Sequence, residues 1–373
     1  MGVPTIHLFA DVLVGFGGVE TYLDALARRL VAESWSVRIA VSLDAPAPFL
    51  DSLEALGVPV YRQPRVFGDR WNVRQRLLVR HVARDVRPGD WVYCVRQPMA
   101  GVFLPLVRAV HARGGKIAAS WMFAPEFLPV PSGPLGVSFK QAVKETDTVI
   151  SVSECTRDQF AKIYGYNGAI AVVRLHNVEL LPAITPLPPQ PPYCIGFLGR
   201  IAIEQKNLDT ILTAYRLLTA RRSDVVFNFH GGGSDLEAFK RMVASAGLGD
   251  RVHVHGPYDH LRDLGTIMAA NHLFIYTSRF EGGPCLSLLE LLQAGRFVVT
   301  SPVGGIPDIY DGRPEIGTMV AAQDPDAIAA ALEDAIARLK AGRIDPQRIR
   351  GVYQTHFTGD VAHKQWLAAL GMT

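Results

Sequence analysis

Apolar positions along the chain fall into short, β-branched runs separated by longer stretches in which an apolar residue recurs every third or fourth position. The strand-like runs lie at 5–10, 36–42, 58–62, 91–95, 116–121, 149–153 and 169–175. Helical periodicity fills most of the gaps, as at 20–32 and 72–86. Repeated strand and helix alternation predicts a parallel sheet covered on both faces. The segment Leu-Leu-Pro-Ala-Ile-Thr-Pro-Leu-Pro-Pro-Gln-Pro-Pro, from Leu180 to Pro192, interrupts the pattern, because proline has no amide to give a helix or a central strand. The alternation then restarts, with strands expected at 194–198, 225–230, 251–255, 273–277 and 297–300 and helices at 208–220, 236–246, 261–270 and near 286–293. The expected fold is therefore α/β, with two Rossmann-like, doubly wound parallel-sheet domains at 1–180 and 193–356 joined by a proline-rich linker at 181–192. They are expected to face each other across a cleft at the carboxyl ends of the strands, where ligands bind. A length of 373 residues, long for one core, agrees with two domains.

Composition narrows the class. With 49% hydrophobic and 20% charged residues the chain can bury large cores and is neither disordered nor fibrous. Cys94, Cys155, Cys194 and Cys285 stand singly, without the spacing of a zinc site or disulfide framework, so reduced thiols in a cytoplasmic protein are expected. The opening Met-Gly-Val-Pro-Thr-Ile-His-Leu-Phe-Ala reads as a first strand and not as a signal peptide. Gly2 invites a myristoylation reading, but Ile6 stands where that motif needs Ser or Thr. No run approaches the roughly 18 apolar residues of a membrane span. Net charge is only +3, yet residues 62–87 carry eight arginines against Asp69 and Asp85, a local excess of six positive charges. With Phe67 and Trp71 nearby, this stretch could rest on an anionic membrane surface or bind an acidic acceptor. It could equally be a solvated helix face whose arginine stems cover apolar surface. No nucleic-acid partner is expected.

Several loops carry candidate chemistry. Gly15-Phe16-Gly17-Gly18-Val19-Glu20 runs straight into a helix, and its free amides at the positive helix end suit a phosphate. Glu20 occupies the third glycine position of a dinucleotide fingerprint, which disfavours a nicotinamide or flavin dehydrogenase. In the second half, Gly199-Arg200 closes a strand and Lys206-Asn207 opens a helix, placing two fixed cations where a diphosphate would fit. The run His230-Gly231-Gly232-Gly233-Ser234 could bring backbone close to a donor; it imitates an esterase oxyanion loop, but no G-x-S-x-G elbow accompanies it. From Glu281 through Gly282, Gly283 and Leu286 to Glu290, a glycine loop leads into a helix, with one carboxylate on each. Carboxylates accept paired hydrogen bonds from vicinal sugar hydroxyls, and loop amides at a helix start hold phosphate oxygens. Asp324-Pro325-Asp326 imitates a metal-binding D-x-D but precedes a strongly helical run, so helix capping is expected there and no metal.

Taken in order, these pieces resemble the retaining glycosyltransferases of family four, which have the GT-B architecture. The resemblance runs from the first strand to a C-terminal helix at about 357–373, grouped with the first domain. It is carried by Gly17-Gly18-Val19-Glu20, Val152-Ser153-Glu154, His176-Asn177-Val178-Glu179, Gly199-Arg200 with Lys206, Asp250-Arg251-Val252 leading to Gly256, the glutamate segment, and Gly304-Gly305-Ile306-Pro307-Asp308. It implies transfer of a hexosyl unit from a UDP- or GDP-linked sugar to a hydroxyl of a glycan, lipid-linked or small-molecule acceptor, with no cofactor. Arg200 and Lys206 would bind the diphosphate and neutralise the leaving group, and Glu281 with Gly282 and Gly283 would hold the donor sugar. Glu290 would accept the ribose hydroxyls, Gly256 would flank the base, and Gly17 and Gly18 would meet the phosphate from the other domain. Reaction on the donor's front face, with the leaving phosphate drawing the acceptor proton, needs no protein nucleophile. The chain departs from the family in two places. Eight residues separate the glutamates where seven are usual, and Ser120-Trp121-Met122 stands where a histidine often touches the donor sugar. Acceptor choice would fall to first-domain loops such as 123–134, and the basic stretch suggests a peripheral position at the inner membrane face. A nucleotide-sugar epimerase and a catalytically silent sugar-nucleotide-binding scaffold are the alternatives.

Overall fold

The computed structural model describes residues 4–13, 17–65, 70–122, 131–176, 180–283 and 285–372. They divide into two compact units, residues 1–178 with 359–373, and residues 179–358. The first unit runs β1 (Thr5–Ala10), α1 (Gly18–Ala32), β2 (Ser36–Val41), α2 (Ala47–Glu54), β3 (Val60–Arg62), α3 (Trp71–Asp85) and β4 (Trp91–Cys94). It continues through α4 (Ala100–His111), β5 (Lys116–Trp121), α5 (Gly133–Glu145), β6 (Thr148–Ser151), α6 (Glu154–Tyr164) and β7 (Ile170–Val172). The second unit holds β8 (Tyr193–Leu198), α7 (Ile203–Lys206), α8 (Leu208–Arg221), β9 (Val225–His230), α9 (Leu236–Ser245), β10 (Val252–Gly256), α10 (His260–Ala270) and β11 (Leu273–Tyr276). After these come α11 (Leu286–Gln293), β12 (Phe297–Thr300), α12 (Pro307–Tyr310), β13 (Gly317–Met319), α13 (Pro325–Lys340) and α14 (Pro346–His356). The last helix, α15 (Gly359–Ala369), belongs to the first unit.

Both sheets are parallel throughout, in the orders β3-β2-β1-β4-β5-β6-β7 and β10-β9-β8-β11-β12-β13. These are the doubly wound Rossmann-like sheets expected from the alternation. In each, the order reverses beside the first strand, between β1 and β4 and between β8 and β11. Burial follows the two-residue period of a strand: Ile6, Leu8 and Ala10 pack with α1, α2 and Trp366 of α15, whereas Phe9 packs on the other face with α3 and α4. β3 is shorter than expected because Pro59 has no amide for the ladder, although its carbonyl still accepts from the Ile39 amide at 2.9 Å. The three-residue edge strand β13 is absent from the sequence reading, its Gly-Thr-Met being too short and weakly apolar to register.

Prolines keep a carbonyl without an amide, and in the proline-rich segment those carbonyls meet arginines. Arg296, fully buried, donates to Thr185 O at 2.8 Å and Pro186 O at 2.9 Å, and Arg350 donates to Leu181 O at 3.0 Å and Pro182 O at 2.9 Å. The segment is thereby strapped to the second unit.

The arginine-rich stretch falls mainly on α3, with Phe67 and Asp69 outside the described residues. Arg74 is buried, its guanidinium 5.3 Å from the Trp71 ring, while Arg76, Arg80 and Arg84 form an exposed stripe at four-residue spacing. Arg84 and Arg87 also line, with Arg38, Arg113 and Asp85, a hollow of about 680 Å3 at the amino ends of the strands. Asp324 caps α13, accepting from the Ala327 amide at 2.9 Å, which is the capping role expected of it. Among the described residues no helix is long and apolar enough to cross a membrane.

His176, which the resemblance singled out, is packed beneath α15. It is 5% exposed, edge-on to Tyr22 with ring centroids 5.4 Å apart, and close to Gly359. Burial, with the neighbouring His363 and Arg29, pulls its pKa down to about 4. The unfolded chain titrates near its ordinary value of about 6.5, so between these values the unfolded state holds a proton that the folded state does not. Stability should therefore fall as pH drops from about 6.5 to about 4, by up to about 3 kcal/mol from this group. Urea titrations across that range should show a flatter acid limb for His176→Leu than for the wild type; equal slopes would remove His176 as the cause.

Candidate active site

The strand ends flanking the β8/β11 reversal gather four of the polar side chains at issue. Gly199-Arg200 follow the end of β8, and the single turn α7 then carries Gln205 and Lys206 back toward the end of β11, where Tyr276 stands. Lys206 is 5% exposed, and its Nζ lies 2.5 Å from Glu281 Oε1 and 2.8 Å from Tyr276 OH. The ammonium sits 4.7 Å from the Tyr276 ring centre and 4.0 Å from Cys285 Sγ. Gln205 bridges the rest, accepting from Arg200 Nη2 at 2.7 Å and donating to Glu281 Oε2 at 3.2 Å. Arg200, Gln205, Glu281 and Lys206 thus form one chain of contacts. Burial pushes the Tyr276 hydroxyl up, and burial together with Glu281 pushes the Cys285 thiol up to about 12, so both stay protonated beside the ion pair.

Glycines make this geometry possible. Gly199 and Gly231 hold φ of +152° and +151°, and a Cβ on Gly231 would overlap the Gly199 carbonyl. The run after β9 is therefore spent on close approach to the β8 end, with the Gly231 amide donating to Gly256 O at 2.8 Å and the Ile201 amide to Gly232 O at 2.8 Å. That packing accounts for these glycines without a bound donor. Gly304 plays the matching part for the glutamate loop, where a Cβ would overlap the Glu281 carbonyl, and the Gly305 amide donates to Gly282 O at 2.9 Å. Gly283 continues this turn, and Pro284 lies outside the described residues.

Glu290 occupies a separate place on α11, 4% exposed on a helix that is otherwise apolar apart from Ser287 and Gln293. Its Oε1 lies 2.7 Å from His260 Nε2 at the start of α10, which Asp259 caps through the Arg262 amide. Leu286 opens α11 at 7% exposure, and Gly256 ends β10 with φ +80°. Sequence reading missed Gln205, Tyr276 and His260. Gln205 adjoins Lys206, and its position was the available signal; the other two reach the site only through the fold.

Gly17 and Gly18 belong to the first unit. Gly17 caps α1, and Glu20 turns back to accept from its amide at 3.0 Å, so a carboxylate already occupies one of the donors expected to meet phosphate. Gly18 has open space around its Cα, and residues 14–16 of the same turn lie outside the described residues. Ser120, Trp121 and Met122, where the family often has a histidine, are 1%, 5% and 5% exposed, with the Trp121 ring 4.5 Å from Phe160. Ser153 is an N-cap, accepting from the Thr156 amide at 3.1 Å. Residues 123–130 and 177–179 also lie outside the described residues.

Residues 16–177 match the family model described as Glycosyltransferase Family 4, and residues 192–338 the one described as Glycosyl transferases group 1. The chain belongs to glycosyltransferase family four. Its fold agrees, since the lipopolysaccharide outer core galactosyltransferase WaaB superposes with a TM-score of 0.74 over 98% of this chain and 99% of that one, at 18% identity. Anabaena HepE, solved with UDP and glucose, gives 0.77 over 98% and 99%, at 16% identity. Among curated proteins, this glycosyltransferase is 27% identical over 157 residues to a component of the human phosphatidylinositol N-acetylglucosaminyltransferase, a match spanning 42% of this chain and 31% of that protein. It is 26% identical over 366 residues to the GDP-mannose-dependent alpha-(1-6)-phosphatidylinositol monomannoside mannosyltransferase of Mycobacterium tuberculosis, covering 88% of this chain and 86% of that one.

The Lys206–Glu281 pair, with side chains 6% and 8% exposed, also makes a stability prediction. Lys206→Met leaves a buried carboxylate without its cation and should destabilise the second unit by about 3–5 kcal/mol. Adding Glu281→Gln should recover part of that loss. Urea denaturation of the single and double variants measures both, and a Lys206→Met variant as stable as wild type would show that the pair carries no such charge balance.

Proposed function

We propose that this family-four glycosyltransferase moves a hexosyl unit from a nucleotide-diphosphate sugar to an acceptor hydroxyl with retention of configuration and without a metal ion. The observation that carries the reading is the chain of contacts from Arg200 through Gln205 and Glu281 to Lys206 at the strand ends flanking the β8/β11 reversal. Ligands of doubly wound sheets bind at such reversals. On this reading Arg200 offers a guanidinium fork and Lys206 a buried point charge to the diphosphate, doing there what a divalent ion does elsewhere. Glu281, fixed by Lys206 and Gln205, takes hydroxyls of the donor sugar, and Glu290 takes those of the ribose. As the anomeric carbon–oxygen bond breaks, the charge on the leaving phosphate is met by the two cations, and that phosphate takes the proton from the attacking hydroxyl on the same face. The site is already organised before the charge moves, which is where such an arrangement gains its rate.

UDP or GDP should raise the melting temperature, because a ligand of the folded state stabilises it. Arg200→Ala should lose that shift. Turnover should continue in excess chelator and give a product with the donor's anomeric configuration by NMR; abolition by chelator with rescue by manganese, or an inverted product, would overturn the metal-free or the retaining part respectively.

The acceptor we propose is lipid-linked and met at an anionic membrane surface. Two supports are the exposed Arg76, Arg80 and Arg84 stripe and the phosphatidylinositol substrates in the names of two relatives. Flotation with phosphatidylglycerol vesicles at low salt should carry the wild-type protein up and leave Arg76→Glu/Arg80→Glu behind, with neutral phosphatidylcholine vesicles binding neither. Failure to bind either vesicle removes the membrane argument.

A further inference from the structure

Glu290 is the sole carboxylate on α11, and it is 4% exposed among leucines. A carboxylate in such surroundings takes up a proton unless a donor or a positive charge stands against it. His260 is one such neighbour, with Nε2 2.7 Å from Glu290 Oε1. Its side chain is 23% exposed, so it joins the buried carboxylate to the surface. Among the described residues two further titratable groups face the pair, both from the turn before α10. Asp259 faces His260 while capping the helix, and Tyr258 faces Glu290 with its hydroxyl pushed up by burial. Burial alone would pull His260 down, but Glu290 and Asp259 outweigh it and its pKa is raised, which favours the imidazolium opposite the carboxylate.

We infer that His260 is a positioning residue for the donor: its contact holds the Glu290 carboxylate in one orientation, the one that presents it to the vicinal hydroxyls of the ribose. The inference rests on the reading of Glu290 as the ribose acceptor. The chemistry is consistent, because a carboxylate accepts about four hydrogen bonds through its two oxygens and can serve several donors at once. His260 opens α10, four residues after Gly256, so one short segment would both flank the nucleotide and orient the residue that grips its sugar.

Titration calorimetry of the whole protein with UDP and with GDP tests this. His260→Ala should weaken the bound diphosphate about tenfold at about pH 6, and less at about pH 8, where the wild-type imidazole carries less positive charge and less is lost with it. His260→Gln, whose amide can still donate to Glu290, should restore most of the affinity at both pH values. In turnover, His260→Ala should raise KM for the donor and leave kcat nearly unchanged. Glu290→Gln should weaken binding at both pH values, and adding His260→Ala to it should cost little more. If His260→Ala binds like wild type at both pH values while Glu290→Gln is weak, the inference falls and Glu290 keeps its role. If His260→Ala and His260→Gln are equally weak regardless of pH, His260 is only a packing residue and the inference also falls. If Glu290→Gln binds like wild type, or neither nucleotide binds the wild type, the reading of Glu290 itself is wrong.

Discussion

Lys206 and Glu281 have both given up water, and neither could be buried without the other. An isolated buried charge costs several kcal/mol, while a close pair with its remaining lone pairs and protons engaged recovers most of that cost. Here Tyr276 accepts a hydrogen bond from the ammonium and Gln205 donates to the second carboxylate oxygen. The pair constrains what surrounds it. α7 must be short enough to turn Lys206 back over β11, the loop after β11 must bring Glu281 to meet it, and Gly304 must lie flat against that loop. The sheet makes this possible by reversing its strand order between β8 and β11, because only at a reversal do the connections from adjacent strands leave to opposite sides and open a space between them.

Much of the fold was legible in the chain because parallel strands buried on both faces leave dense apolar runs between helical periods. All seven strands of the first sheet and five of the six in the second answer to such runs, and β13, three residues long, does not. The site was legible where a residue acts from a strand end. Arg200 follows β8 directly, and Lys206 comes one turn later, so their proximity could be read from order alone. His260 was not legible, since it meets Glu290 across thirty positions and nothing in either local sequence marks the partner. The glycine run after β9 was legible as a special backbone, and the fold adds a cause of its own: Gly231 and Gly233 yield to the carbonyls of Gly199 and Ile201.

The longer spacing between the glutamates takes on meaning in this light. Both carboxylates are buried, and each has a basic partner of its own, Lys206 for Glu281 and His260 for Glu290. An added residue in the intervening loop does not separate them from those partners, because the partners come from other elements. The loop itself is held at Gly282 by the Gly305 amide and at the Glu281 carbonyl by the absence of a side chain on Gly304. What the spacing changes is therefore the path of the loop amides between the two anchors.

That difference bears on how a diphosphate would be received. With Lys206 already bound to Glu281, an arriving phosphate cannot claim the ammonium outright. It shares the ammonium with a carboxylate that would repel it unless that carboxylate is turned to the sugar hydroxyls. A bare nucleotide diphosphate brings the repulsion without the hydroxyls, whereas the full sugar nucleotide supplies donors to Glu281 at the same moment as oxygens to Lys206. On the proposed reading the buried pair thus favours the intact donor over the spent nucleotide, since only the donor satisfies both of its charges at once.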